Sequence, residues 1–227
     1  MKIDDVTLTL FKWDDIPETK YHAGAANAGG ESALGLLHIR TDEGIDGFSF
    51  LGSMSFSAEV DCKGVIRTLK PLLMGQDPLD REALYQAMWK RSRITTSRSI
   101  GAVDIALYDI AAKAAGLPLY KLLGVYRTSI PAYASSAVLP SRQAYVEEAL
   151  QYKENGWAAY KIHPPTQWRE DIEICRAVRE AVGNDYDLML DSMWSYTYCL
   201  LYTSDAAHEK RAVDLRGRRI IKKKRWG

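Results

Sequence analysis

Three side chains that can transfer protons or bind a cation stand at the ends of two predicted strands. Lys161 and His163 are two residues apart in the segment WAAYKIHPP, and Asp191 lies near the end of YDLMLDS. Residues i and i+2 of a strand point to the same face, and the carboxyl ends of neighbouring parallel strands meet at one edge of the sheet. We therefore expect a proton-transfer pair beside a metal-binding carboxylate. Ser135 and Ser136 end the preceding strand.

Each of these residues also has a simpler interpretation. A lysine at a strand end is often a solvated rim residue, and a lone histidine is often a hydrogen-bonded structural group. An aspartate at a strand end frequently caps the next loop. His22 and His38 carry weaker signals, because the first lies in a Gly/Ala-rich loop and the second in a strand that packs without it. Spacing alone leaves both interpretations open.

A regular alternation of strands and helices would position these strand ends. From Ile130 the predicted order is strand–helix–strand–helix–strand. One helix is expected between a Ser141 cap and a Gly156 stop, and the next over WREDIEICRAVREAVG. This spacing favours parallel strands joined by right-handed crossovers.

The first fifty residues indicate a small antiparallel sheet. Alternating apolar residues from Ile3 predict a half-buried strand. The segment ALGLLHIRTDEGIDGFSFLG predicts two strands joined by a tight turn at Gly44. Between the first strand and this hairpin, YHAGAANAGGES (residues 21–32) has no periodicity and is predicted to be a mobile loop.

Helices are predicted after this sheet. The segment FSAEVDCKGVIRTLKPLL has a plausible cap at Ser57, and Pro71 is expected to end or kink it. A second segment, PLDREALYQAMWKRS, is also helical in pattern. The strongest prediction is SIGAVDIALYDIAAKAAGLPLYKLLG, whose apolar residues from Ile100 to Ala114 fall on one face and whose end is marked by Gly116.

This last helix, together with the strand ends at Lys161, His163 and Asp191, resembles the enolase superfamily, in its mandelate racemase/muconate lactonizing branch. The resemblance covers roughly residues 1–198. It implies an α+β N-terminal capping domain over residues 1–125, followed over residues 126–198 by the first three βα units of a (β/α)8-type barrel, which is incomplete.

The resemblance also implies a chemistry. Enzymes of this branch use Mg²⁺ to hold a substrate carboxylate while a base abstracts the proton α to it. Lys161 and His163 would then be catalytic, and Asp191 would be the first metal ligand. The segment beginning at Tyr21 and His22 is similar to the capping loop that closes over the substrate, so both residues are expected to bind it.

Two departures from the family pattern bear on the reaction. His163 replaces the usual second lysine, and Met193 stands where related members often carry asparagine. We favour dehydration of an acid sugar, a small-molecule carboxylate, with racemisation or epimerisation as the alternative. The parent protein is expected to be a homo-oligomer.

The end of the chain raises a separate expectation. Only 36 residues follow Asp191, too few for five more βα units of about 30 residues each. The remaining metal ligands are expected beyond the truncation, and the chain as given is expected to be inactive. The segment CLLYTSDAA is similar to a translated sequencing adapter, so residues 199–227 are expected to be a non-native tail.

The tail also permits another interpretation. Residues 199–227 hold nine Lys/Arg and three Asp/Glu, a charge balance typical of a nucleic-acid-binding arm. The whole protein would then be a non-catalytic α/β scaffold. We do not expect a nucleic-acid partner, because the tail alone carries this signal.

Composition bounds the setting of the protein. Hydrophobic residues make up 47% and charged residues 26% of 227, which is typical of a globular protein. No apolar run approaches the roughly 18 residues of a membrane span, and no secretion signal is recognisable. Three scattered cysteines fit a reducing compartment. The expected location is the cytoplasm.

Overall fold

The computed structural model describes residues 1–21, 28–193 and 195–196. His22 and the predicted tail at 199–227 lie outside the described residues. The boundaries predicted for the domains therefore stay predictions.

The chain forms two compact units. The first consists of Met1–Glu18 and Ala28–Thr128; the second consists of the described residues of Thr19–Asn27 and Ser129–Gly227.

The first unit contains a three-stranded sheet in the order β1-β2-β3. The strands are β1 (Ile3–Thr19), β2 (Ala28–Thr41) and β3 (Gly47–Leu51). Strands β2 and β3 pair antiparallel, with Leu37 opposite Ser49, and Gly44 in the connection has a φ of +76°. Since glycine adopts this conformation without steric strain, the predicted hairpin is confirmed.

One part of the predicted loop at residues 21–32 is wrong. Residues from Ala28 onward belong to β2. The segment lacks the side-chain alternation that predicts a strand, but ladder hydrogen bonds are made by backbone groups that glycine and alanine also carry. The length of the neighbouring strand β1 allows this pairing to continue into the Gly-rich stretch.

Five α-helices and one π-helical segment of the first unit follow the sheet in the described chain. They are α1 (Glu59–Lys63), the π-helical segment Gly64–Leu69, α2 (Lys70–Leu73), α3 (Arg81–Trp89), α4 (Ser97–Ala114) and α5 (Leu119–Leu122).

The helical segment around Pro71 differs from its prediction. Ser57 does not cap the helix in the expected way; its Oγ accepts from the N–H of Glu59 at 3.3 Å, and no side chain caps α1. Pro71 does not end the helix, which continues to Leu73. Proline lacks an N–H and its ring crowds the carbonyl four residues before it. The π-helical turn relieves this crowding by widening the backbone just before the proline.

Helix α4 packs against strand β3 and provides the main core of the first unit. Its start is capped by Thr96, whose Oγ1 accepts from the N–H of Ser99 at 3.0 Å. At its end, Gly116 has a φ of +62° and the N–H of Leu117 donates to the carbonyl of Ala112 at 3.0 Å. This is a Schellman cap, as Gly116 predicted. The buried face includes Ile100, Val103, Leu107 and Ile110. Ala114, predicted on the same face, is exposed because the helix ends there.

An ion pair joins β1 to α2. The ammonium of Lys70 donates to Asp5 Oδ1 at 2.6 Å, and both side chains are about 30% exposed. This hydrogen bond is the main cause that holds the pKa of Asp5 below its ordinary value. A carboxyl group with a lowered pKa in the folded state adds stability above its unfolded pKa of about 3.9, and this stability disappears as the pH falls through the folded pKa.

Asp5→Asn is therefore expected to lower the free energy of unfolding by about 1 kcal/mol at pH 7. The difference from wild type should shrink below pH 4 and vanish near pH 2. Urea unfolding at a series of pH values measures this. Asp15→Asn, an exposed position on the same strand, is the control. A difference that persists unchanged at pH 2 would contradict the prediction.

The second unit alternates strands and helices. Its elements are β4 (Ala134–Ser135), α6 (Arg142–Glu154), β5 (Ala159–Ile162), α7 (Trp168–Val182) and β6 (Asp187–Leu190). The strands form a parallel sheet in the order β4-β5-β6. Ser141 caps α6 by accepting from the N–H of Ala144 at 3.2 Å, and Gly156 follows its end with a φ of +83°. The predicted helix start at Ser141 and helix end at Gly156 are therefore confirmed. Strand β4 is shorter than predicted, since Pro131 has no N–H to pair.

The two faces of this sheet carry different residues. One face packs against α6 and α7 in a core that includes Ala134, Tyr160, Ile162, Leu188 and Leu190. Because side chains alternate along a strand, the neighbouring residues point to the opposite face. We call this opposite face the site face; its residues are Tyr133, Ser135, Lys161, His163, Met189 and Asp191. No helix in the described part of the chain is long and apolar enough to cross a membrane.

Candidate active site

The site face brings Lys161, His163 and Asp191 together. Lys161 Nζ lies 3.3 Å and His163 Nε2 lies 3.4 Å from the same oxygen, Asp191 Oδ2. The register of β5 and β6 fixes this arrangement, because the N–H of Asp191 donates to the carbonyl of Ile162 at 2.9 Å. Two groups that can exchange protons thus converge on one carboxylate.

The second oxygen of Asp191 is held by the backbone. The N–H of Met193 donates to Asp191 Oδ1 at 3.2 Å, and Met193 has a φ of +47°, a conformation that non-glycine residues seldom adopt. Partial burial would raise the pKa of Asp191. The hydrogen bonds from Met193 and Lys161 outweigh it, so the pKa of this carboxyl lies below its ordinary value.

Lys161 also contacts an aromatic ring, that of Tyr133, which was not predicted to belong to the site. Its ammonium lies 5.2 Å from the centroid of the Tyr133 ring. A cation over a ring face is attracted by the negative face of the π system. Tyr133 therefore holds the lysine head group from the side of β4. Tyr133 lies two residues before Ser135 in the predicted strand, so the alternation of side chains could have placed its ring on the same face as Ser135.

His163 is almost completely buried, with 5% of its side chain exposed. Its Nδ1 lies 2.7 Å from the carbonyl oxygen of Ser136, and its backbone N–H donates to Ser136 Oγ at 2.9 Å. Its own carbonyl accepts from the hydroxyl of Tyr145 at 2.7 Å. Tyr145 lies on α6, and no motif in the sequence marks it as a functional residue.

Tyr21 also reaches this histidine. Its ring meets that of His163 edge-on, with centroids 4.9 Å apart and planes at 67°. The neighbouring backbone is held within the second unit, since the carbonyl of Lys20 accepts from the N–H of Val138 at 2.7 Å. Tyr21 thus lies at the histidine, while His22 lies outside the described residues. Substrate binding by either residue stays a prediction.

A divalent cation would need more ligands than these residues offer. Across residues 1–21, 28–193 and 195–196, no group of three or more His, Cys, Asp or Glu side chains is placed to hold a metal ion. Mg²⁺ requires near-octahedral oxygen ligation, and at the site face Asp191 can supply one such ligand. The residues described here do not by themselves form a magnesium site.

Two family sequence models match the chain. Residues 9–124 match the one described as mandelate racemase / muconate lactonizing enzyme, N-terminal domain. The chain belongs to this family. Residues 144–212 match the one described as enolase C-terminal domain-like, which extends past residue 199, where the tail is predicted to begin. The assignment to the enolase superfamily is confirmed, as is the fold class of a capping domain followed by the first part of a barrel.

Relatives within this family catalyse different reactions. The L-talarate/galactarate dehydratase of Salmonella typhimurium is 33% identical over 174 residues, covering 71% of this chain and 42% of the relative. The hydrophobic dipeptide epimerase of Enterococcus faecalis is 29% identical over 165 residues, covering 71% of this chain and 46% of the relative. The chain spans less than half the length of these two curated relatives.

A solved structure of the same family supports the assignment of the fold. D-glucarate dehydratase from Agrobacterium tumefaciens, complexed with magnesium, aligns with a TM-score of 0.69 at 30% identity. The alignment covers 84% of this chain and 54% of that one. The members of this family to which the chain is similar thus include both dehydratases and an epimerase.

Proposed function

We propose that this chain supplies the Lys161–His163–Asp191 part of an active site that abstracts the proton α to a carboxylate and dehydrates an acid sugar. The observation that supports this most directly is the convergence of Lys161 Nζ and His163 Nε2 on one carboxylate oxygen. A general base must lie within hydrogen-bond reach of the proton that it removes. Two such groups on one face of the sheet can serve one carbon centre.

The chain's own residues have separate tasks in this proposal. Lys161 and His163 accept and return the proton, and Asp191 keeps both basic groups at one point of the site face. Tyr21 and Tyr133 restrict water around the two bases. Mg²⁺, when bound, would stabilise the negative charge that develops on the substrate carboxylate. Asp191 is the described residue that would contribute a ligand to it.

Dehydration and epimerisation begin with the same proton abstraction and then diverge. A dehydratase expels a hydroxyl group from the neighbouring carbon, which requires a proton donor, whereas an epimerase returns a proton to the opposite face. The dehydratases of Salmonella and Agrobacterium among the similar proteins support the first outcome. The Enterococcus epimerase, at comparable identity, is the reason to test the second.

The test uses two proteins. The first is the 227-residue chain, and the second is a hybrid in which residues 1–196 are followed by the part of the Salmonella dehydratase that this chain does not match. Each is incubated with a panel of acid sugars and excess Mg²⁺. Keto-acid formation reports dehydration, and exchange of the α-proton in D₂O reports proton abstraction.

We expect the hybrid to form a keto acid and the 227-residue chain to be silent, because its described residues offer one carboxylate to Mg²⁺. A folded hybrid, verified by circular dichroism, that gives neither keto acid nor exchange would contradict the proposed function. Exchange without keto acid would support the epimerase alternative. Turnover by the 227-residue chain would contradict its expected inactivity.

A further inference from the structure

We infer that a pocket between helices α3 and α4 binds a small zwitterion, an α-amino acid, whose carboxylate meets Arg81 and whose ammonium group meets Asp104. The pocket lies entirely in the first unit. It has a volume of about 370 Å³ and is lined by Arg81, Glu82, Tyr85, Asp104 and Tyr108. We call it the α3–α4 pocket. Its volume falls in the range of small-molecule sites, about 300–1,000 Å³. The inference does not rest on the proposed function.

The spacing of residues along the two helices forms this pocket. Both helices contribute buried residues to the core of the first unit. Arg81 and Tyr85 are four residues apart on α3, and Asp104 and Tyr108 are four residues apart on α4, so each pair lies on one side of its helix. All four residues are partly exposed. The two pairs therefore line a cavity that solvent and a small ligand can enter.

Arg81 supplies the positive charge of the pocket. Its guanidinium carbon lies 3.8 Å from the centroid of the Tyr108 ring, whose negative face attracts a cation. Neither a hydrogen bond nor a close ion pair of the Arg81 guanidinium is found in the part of the chain that the structure describes. A guanidinium offers a planar fork of N–H donors that matches a carboxylate in a bidentate arrangement. Arg81 is thus held by an aromatic ring while its donors stay available.

Asp104 supplies a negative charge that lacks a donor. Its carboxylate accepts no hydrogen bond from the residues that the structure describes. Partial burial is the main cause that raises the pKa of Asp104; Arg81 opposes this effect and Glu82 adds to it. Glu82 is itself engaged, because Gln86 Nε2 donates to its Oε1 at 2.8 Å. The ammonium group of a ligand would give Asp104 the charge-assisted hydrogen bond that it lacks.

The two signs of charge favour a ligand that carries both. A simple cation would be attracted by Asp104 but repelled by Arg81, and a simple anion would be repelled by Asp104 and Glu82. A zwitterion can place each of its charges beside the opposite one. Tyr85, whose ring stacks on that of Trp89 with centroids 5.9 Å apart, provides an apolar wall for the side chain of the ligand. These features together indicate an amino acid.

Three probes with one carbon skeleton test this inference in the 227-residue chain. L-Leucine carries both charges, L-leucinamide lacks the carboxylate, and 4-methylpentanoate lacks the ammonium group. Each is titrated at about pH 6.5, where the amine of leucinamide is protonated, into ¹⁵N-labelled protein. Backbone ¹H–¹⁵N correlation spectra give both the affinity and the residues that respond. We expect L-leucine to shift amide signals of α3 and α4 and to bind about tenfold more tightly than either analogue, the effect of one lost charge-assisted hydrogen bond.

Two variants test the contacts, and each has a matched control. Arg81→Gln and Asp104→Asn remove one charge with little change in size, and each should weaken the binding of L-leucine about tenfold. Arg91→Gln and Asp80→Asn remove the same charges at exposed positions that do not line the pocket. These two controls should leave the affinity within about twofold of wild type, because L-leucine does not contact them. Circular dichroism verifies that each variant is folded.

L-Leucine that binds no more tightly than either analogue, or that shifts no signal of α3 and α4, would overturn the inference. An unchanged affinity in Arg81→Gln or in Asp104→Asn would also overturn it. If one variant does not fold, the other variant and the two analogues decide, since the analogues leave the protein unaltered. None of these measurements involves turnover, so an inactive hybrid would contradict the proposed function and leave this inference standing.

Discussion

Lys161→Ala is expected to slow α-proton exchange and keto-acid formation by the hybrid about 10²- to 10⁴-fold, the range by which a positioned acid or base accelerates a reaction. Lys161 Nζ lies on the site face between the ring of Tyr133 and Asp191 Oδ2. Alanine removes the basic group and leaves Asp191 without its ammonium partner. Stability should change little, since Lys161 lies outside the hydrophobic core of the second unit.

Two comparisons make this result specific. Lys12→Ala, at a lysine that is 60% exposed in the first unit, should leave both rates within twofold of the unmodified hybrid. His163→Gln should also lower both rates, because the proposal places the two residues at one carbon centre. A Lys161→Ala hybrid that exchanges the α-proton at the original rate would show that Lys161 has no role in its abstraction.

Gly47→Ala is expected to destabilise the first unit by more than about 3 kcal/mol, because a side-chain atom would enter a space already filled by backbone. A Cβ built on Gly47 lies 2.1 Å from the carbonyl oxygen of Ala106 and 2.7 Å from a side-chain carbon of Ile110. Strand β3 and helix α4 meet at this glycine. A methyl group there forces the helix away from the sheet, and the buried residues of α4 lose contact.

Gly101→Ala is the matched control for this prediction. Gly101 lies within α4, and a Cβ there meets no atom within 4 Å. Alanine in a helix interior is favoured over glycine by about 0.5–1 kcal/mol, so this variant should be slightly more stable than wild type. Urea unfolding followed by circular dichroism measures both. Equal stability of the two variants would contradict the close approach of β3 and α4.

The relative positions of Lys161, His163 and Asp191 could be predicted from the sequence because they follow from local spacing and from the geometry of parallel strands. Lys161 and His163 differ by two positions, which fixes a common face, and the ends of adjacent parallel strands bring Asp191 beside them. The same holds for Gly116 and Gly156, which mark helix ends through a conformation that glycine adopts readily. Each of these signals involves residues close in the chain or a rule that holds for all parallel sheets.

The features that were missed depend on contacts distant in sequence. Tyr145 lies 18 residues before His163, and nothing in its helix specifies which carbonyl its hydroxyl meets. A buried tyrosine needs a hydrogen-bond partner for its hydroxyl, and that requirement was the available signal. The π-helical turn before Pro71 was missed because a proline alone predicts only that a helix ends or kinks, whereas tertiary packing carries the helix on to Leu73.

The alternation of side chains along the strands of the β4–β5–β6 sheet separates two structural roles within the same few residues. Tyr160 and Ile162 lie in the core of the second unit, while Lys161 between them lies on the site face. Tyr133 and Met189 also occupy the site face, outside the core packed against the helices. If the proposed function holds, mutations at these two positions are expected to change substrate preference with little penalty in folding. Libraries that vary them and keep the even-numbered core positions constant are therefore the economical way to diversify this scaffold.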